Sequence, residues 1–187
     1  MKNEITGMKL RLIVMNFLQF AVWGAYLTSM GTYLFNIGLG AKIGLFYAMQ
    51  GIVSLFMPAI MGIIADRWVP AQKLYGFCHF MAAVFMVAAG WYGYVDGEAV
   101  NFGTLFTFYS LSVAFYMPTL ALTNSVAYTA LDKVKLDPVI AFPPIRIFGT
   151  IGFICSMLLT DILGFQNNYM QFFSCACFGV ILAVYAL

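Results

Sequence analysis

Long apolar stretches alternate with short polar ones along this chain, and turn-forming residues gather in the polar stretches. The first apolar run covers roughly 12–36 and closes on "NIGLG"; the second covers 43–65 and closes on "DRWVP". The third, 73–94, ends at "VDGEA", and the fourth, 102–130, ends at "LDKVKLDP". The fifth spans 143–163 up to "GFQNN", and the sixth runs over 168–187. A helix crossing the hydrocarbon core needs about 20 mostly apolar residues. Each run is long enough, so the pattern predicts six spanning helices in one all-α integral membrane domain over residues 1–187, with no linker.

Polar residues within these runs fall on stripes. The first helix carries Asn16, Gln19, Trp23 and Tyr26 on one face, and the fourth carries Tyr109, Ser112, Tyr116, Thr119 and Thr123. Such a stripe serves either interhelical hydrogen bonding or the wall of a cavity. For the first helix both readings stand. For the fourth, Pro118 within the stripe frees a backbone carbonyl and favours a kinked, cavity-lining helix. The fifth run opens with Pro143 and Pro144, which suit a first helical turn. That start puts Arg146 one turn inside, about 5–9 Å deep, with Thr150 and Phe153 on its face and Gly149 and Gly152 beside it. At that depth an arginine can still snorkel to the headgroups. A cation, a hydroxyl and an aromatic ring on one stripe also make a surface for a flat, polar molecule.

Composition strengthens the membrane reading. Hydrophobic residues make up 63% of the 187 positions and charged ones 9%, against about 25% charged in a soluble domain. A net charge of +2 gives no case for nucleic acid. The positions of the charges say more. Lys2, Lys9, Arg11, Arg67, Lys73, Lys133 and Lys135 precede helix 1 or lie in the loops after helices 2 and 4. The opposite side has Lys42 with Asp96, Glu98 and Asp161. Positive loops stay cytoplasmic, which places both termini inside. The first apolar run is too long for a cleavable signal, and the chain reads as part of something longer.

Other chemistry is sparse. Cys78, Cys155, Cys175 and Cys177 show no metal-ligand spacing and read as small apolar packing residues; no metal, cofactor, acid pair or activated nucleophile is expected, so the chain is not read as an enzyme. His79 is a possible proton relay, though such a histidine is more often a neutral packing group. No carboxylate lies deep in the apolar runs, since Asp66 and Asp161 stand near helix ends.

Several stretches, "FLQFAVWGAYLTSMGTYLF", "FMPAIMGIIADRW", "GFCHF", "AFYMPTLALTNSVAY" and "FPPIRIFGTIGF", resemble the nucleoside:proton symporter family of the major facilitator superfamily, the bacterial nucleoside permeases. The likeness runs from about residue 8 to the end. Gly62, Asp66 and Arg67 also match part of the superfamily's gating-loop signature, but Val69, Pro70 and Ala71 depart from it. The resemblance implies a multi-pass protein of the bacterial inner membrane that imports nucleosides with protons by alternating access. This chain is then its N-terminal six-helix half. It implies that Arg146, Thr150 and Phe153 contact the nucleoside. Face geometry adds Gln19, Tyr116 and Thr119 to the same cavity. The partners expected are a nucleoside, a proton, the bilayer, and either a C-terminal half or a second copy of this chain. The coupling acid is expected outside these residues. A carrier of another small polar solute such as a sugar or drug, or a non-transporting scaffold, are the alternatives.

Overall fold

The structure, a computed structural model, describes residues 2–187. Met1 and the side chains of Lys2 and Glu98, two of the charges used above, lie outside the described residues. The regular structure among them is helical: α1 (Lys2–Gly24), α2 (Met30–Asn36), α3 (Ile43–Arg67), α4 (Ala71–Asp96), α5 (Phe102–Tyr116), α6 (Thr119–Lys133), α7 (Pro138–Ile162) and α8 (Met170–Ala186). Five helical stretches among the described residues are long and apolar enough to cross a membrane: Asn3–Gly24, Gly40–Arg67, Ala71–Asp96, Phe102–Lys133 and Pro138–Ile162. The last helix, α8, is apolar but shorter, at 17 residues.

Two predicted helices are broken. The first, expected to be continuous over 12–36, stops at Gly24 and resumes at Met30. Between them the backbone tightens: the Tyr26 N–H bonds to Trp23 O and the Thr32 N–H to Ser29 O, both three residues back. Carbonyls freed by the break are taken by hydroxyls. Thr160 of α7 donates to Ala25 O at 3.0 Å, and Tyr47 of α3 donates to Leu27 O at 2.7 Å. Inside a membrane such a break stands only where neighbours satisfy the backbone. The second break separates α5 from α6 at Met117 and Pro118, where proline has no N–H to give.

α7 begins at Pro138, five residues before the predicted start. The Asp137 carboxylate accepts from the Val139 N–H at 2.9 Å, and Pro138 takes the first helical position, where no donor is needed. Pro143 and Pro144 therefore sit inside α7 rather than at its start. Arg146 is then about 12 Å along the helix instead of one turn in. This corrects the expectation that Arg146 lies one turn into its helix.

α1 packs most extensively on α7, and α4 on α8 and α5. The α1–α7 contact depends on two glycines. A Cβ added at Gly152 would overlap the carbonyl oxygen of Phe17 and stand 2.8 Å from its carbonyl carbon. One added at Gly24 would overlap Phe153 O and Ser156 Oγ. Small residues permit this backbone-to-backbone approach, the usual device for pairing membrane helices. Two apolar clusters fill the bundle. Tyr26, Leu34, Phe46, Tyr109 and Phe172 are central to one, and Leu12, Tyr75, Leu131 and Leu182 to the other. Cys78 and Cys175 are buried within the bundle, whereas Cys155 of α7 and Cys177 of α8 are exposed.

Candidate functional site

The predicted site residues separate into two layers. Gln19, Thr119 and Tyr116 lie in the bundle interior, each no more than 2% exposed. They do not reach the open face in this structure, where they are enclosed between helices. The fourth-helix stripe as a whole, from Tyr109 to Thr123, is likewise buried. A period of 3.6 defines a face, but here that face looks into the bundle.

Gln19 is the hub of this inner layer. Its Nε2 donates to Thr119 Oγ1 at 2.8 Å. Thr119 uses its own hydrogen on Tyr116 O at 2.6 Å, so Oγ1 can only accept from Gln19, and the orientation of the amide is fixed. Oε1 then accepts from Tyr75 OH at 2.7 Å and His79 Nε2 at 2.7 Å, while Thr123 Oγ1, 3.1 Å away, shares its one hydrogen with the nearer Thr119 O at 2.8 Å. Since Oε1 can only accept, His79 carries a hydrogen on Nε2, while its buried Nδ1 meets no hydrogen-bond partner among the described residues. Tyr116 OH closes the network by donating to the backbone oxygen of Gln19 at 2.8 Å. Four residues from α4 and α6 thus meet on one side chain of α1. Gln19→Leu, which leaves Tyr75, His79 and Thr119 without their partner, is expected to destabilise the fold by about 1–3 kcal/mol, the cost of stranding buried polar groups. Thermal unfolding in detergent measures it, and a melting temperature equal to the wild type would contradict the assignment.

The outer layer lies on α7 and the facing side of α1. The Arg146 guanidinium does not run out toward the helix end. Its Cζ stands 3.8 Å over the centre of the Phe20 ring, a cation–π distance, and its Nη1 lies close beside Gly149. Thr150 is exposed on the same helix, and Phe153 is half-buried. The Phe153 ring meets Trp23 edge-on, at 6.3 Å and 87°. Arg146, Thr150 and Phe153 therefore share a partly open surface with Phe20 and Trp23. The sequence reading missed Phe20 and Tyr75. Phe20 is one residue past Gln19, about 100° off the polar stripe, and nothing along the chain marks it as the arginine's partner. Asp66 and Arg67 are exposed at the C-terminal end of α3, away from both layers.

With this geometry in view, the comparisons decide the family. The profile described as nucleoside H+ symporter matches residues 6–187. The chain belongs to the nucleoside H+ symporter family. That family comprises transporters, not enzymes. Xanthosine permease of Escherichia coli is 39% identical over 180 residues, covering 95% of this chain and 41% of that protein. Nucleoside permease NupG of the same organism is 38% identical over 184 residues, covering 97% of this chain and 42% of its own length. The crystal structure of NupG superposes with a TM-score of 0.87 at 38% identity, over 96% of this chain and 43% of that one; a mutant form gives 0.88. The chain thus spans about two fifths of the family relatives it matches.

Proposed function

We propose that this chain is the N-terminal half of a major facilitator transporter that imports nucleosides with protons across the bacterial inner membrane. In this reading α8 is the sixth spanning element, the positive loops hold both termini in the cytoplasm, and a second half, or a second copy of this chain, completes the cavity. The observation that carries it is the Arg146 guanidinium laid over Phe20, beside Thr150, Phe153 and Trp23, on a face open to a partner. A nucleoside is uncharged, with a flat base and a hydroxylated sugar. Rings hold the one, and guanidinium and hydroxyl groups hold the other. A phosphorylated substrate calls for more cations than this single arginine. Arg146, Thr150 and Phe153 would touch the substrate, with Gln19, Tyr116 and Thr119 holding α1, α5 and α6 together behind them. Asp66 and Arg67 belong to the cytoplasmic gate.

The coupled proton is assigned to a carboxylate beyond these residues. Asp66 and Asp161 are exposed at the ends of α3 and α7, not deep in the bilayer. His79, fully buried and held at Nε2 by Gln19 Oε1, is given a positioning role in this reading. Uptake of labelled uridine by cells lacking their own nucleoside transport tests the proposal. Expected is uptake that other nucleosides compete for, that sugars do not, and that a protonophore collapses. Competition by sugars, or indifference to the protonophore, would sink it.

A further inference from the structure

Trp23 is the ring that three others share. Its centroid is 6.4 Å from Phe20, 6.2 Å from Tyr116 and 6.3 Å from Phe153. Tyr116 belongs to the buried layer, while Phe20 and Phe153 belong to the partly open one, so the indole stands between them, half-buried. One flank of Phe20 is already taken by the guanidinium of Arg146. Trp23 is the larger ring next to it that carries no cation.

The indole is also held at its polar edge. Its N–H donates to Gln50 Oε1 at 3.0 Å. Indole can only donate, so Gln50 must present its oxygen there and its amide nitrogen to the other side. On that side Nε2 donates to Tyr109 OH at 2.7 Å. Tyr109 is fully buried and packs its ring against Tyr26 and Phe46. A single chain therefore runs from the core through Tyr109 of α5 and Gln50 of α3 to Trp23 of α1, ending edge-on against Phe153 of α7. Turning the indole about its side-chain bonds would break the bond to Gln50 and change its angle to Phe153. A ring fixed before the ligand arrives loses less conformational freedom on binding.

We propose that Gln50 is a positioning residue that holds Trp23 as a pre-oriented platform for the nucleobase. This rests on the nucleoside reading above. Neither residue carries charge, so the platform suits the flat, uncharged base and leaves the sugar to Arg146 and Thr150.

The test uses the full-length transporter and begins with saturable uptake of labelled uridine by the wild type. Gln50→Leu removes the acceptor and keeps the bulk. It is expected to raise KM about 3–10-fold, the loss of one orienting hydrogen bond, with the maximal rate per folded transporter within about twofold. Trp23→Phe keeps a ring without the N–H. In that background Gln50→Leu should add nothing further to KM, because the partner is gone. Nucleoside binding should also quench tryptophan fluorescence in the wild type and lose that component in Trp23→Phe. If Gln50→Leu fails to accumulate, Trp23→Phe decides alone: a raised KM with the lost fluorescence component supports the platform, and an unmoved KM overturns it. Additive effects of the two substitutions, or a fall in maximal rate at constant KM, overturn it as well. Absence of wild-type uptake overturns the nucleoside reading and this inference together, whereas normal uptake with unmoved KM in both variants overturns this inference alone.

Discussion

Gly152→Val is expected to leave little folded transporter and to abolish nucleoside uptake. The reason is geometric. A Cβ at this position would overlap Phe17 O and stand 2.8 Å and 2.9 Å from the carbonyl and α carbons of the same residue. Non-bonded heavy atoms settle near 3.5–4.0 Å, about an ångström farther. The obstruction is backbone, so no rotamer change relieves it; α1 and α7 must separate along their whole contact. Overpacking of this kind costs about 1–3 kcal/mol where side chains can yield, and more is expected where they cannot. Separation would also carry Phe20 away from Arg146 and Trp23 away from Phe153, since each pair spans the α1–α7 seam. Size-exclusion profiles of the solubilised protein and uptake per cell measure the two effects. Gly44→Ala is the control, because a Cβ there meets nothing within 4 Å. Wild-type yield and uptake in Gly152→Val would mean that the two helices are not packed this closely.

The same seam shows which features the chain reveals before its structure is known. The apolar runs predicted the helices because a bilayer permits almost no other spanning backbone, and Pro118 marked the α5–α6 break by its missing donor. The break after Gly24 carries no such mark. It exists because Thr160 and Tyr47, distant in sequence, supply hydroxyls to Ala25 O and Leu27 O. The true start of α7 was written in Asp137 and Pro138, a capping residue followed by proline, but the apolar "FPP" run drew the boundary inward. Periodicity placed Gln19 on a face with Trp23 and could not tell whether that face met a cavity or other helices. The answer depends on Tyr75, His79, Thr119 and Thr123, which arrive from α4 and α6. The Arg146–Thr150–Phe153 stripe needed only spacing within one helix and was legible. The direction of the guanidinium was not, because Phe20 belongs to another helix.

Arg146→Ala is expected to lower nucleoside uptake about 10–150-fold, mainly through binding. A hydrogen bond involving a charged group contributes about 1.5–3 kcal/mol, and each 1.4 kcal/mol is about tenfold. The alternative role for this arginine is to anchor α7 at the headgroups, and graded substitutions separate the two. An anchor needs only a cation on a flexible stem, so Arg146→Lys would restore it. A substrate contact needs the flat, forked guanidinium, which lysine does not reproduce. Arg146→Lys should then retain an uptake deficit of about tenfold while accumulating at the wild-type level. Phe20→Leu provides the decisive comparison. It leaves the charge in place and removes the ring 3.8 Å beneath it, a contact worth about 0.5–2 kcal/mol. If the ring aims the guanidinium at the substrate, Phe20→Leu weakens binding about 2–30-fold and adds little in an Arg146→Ala background. An anchoring arginine predicts the opposite pattern: full activity in Arg146→Lys, and no coupling between positions 20 and 146. The orientation over Phe20, toward α1 and past Gly149, favours the substrate role, because a snorkelling side chain would extend toward the start of α7 instead.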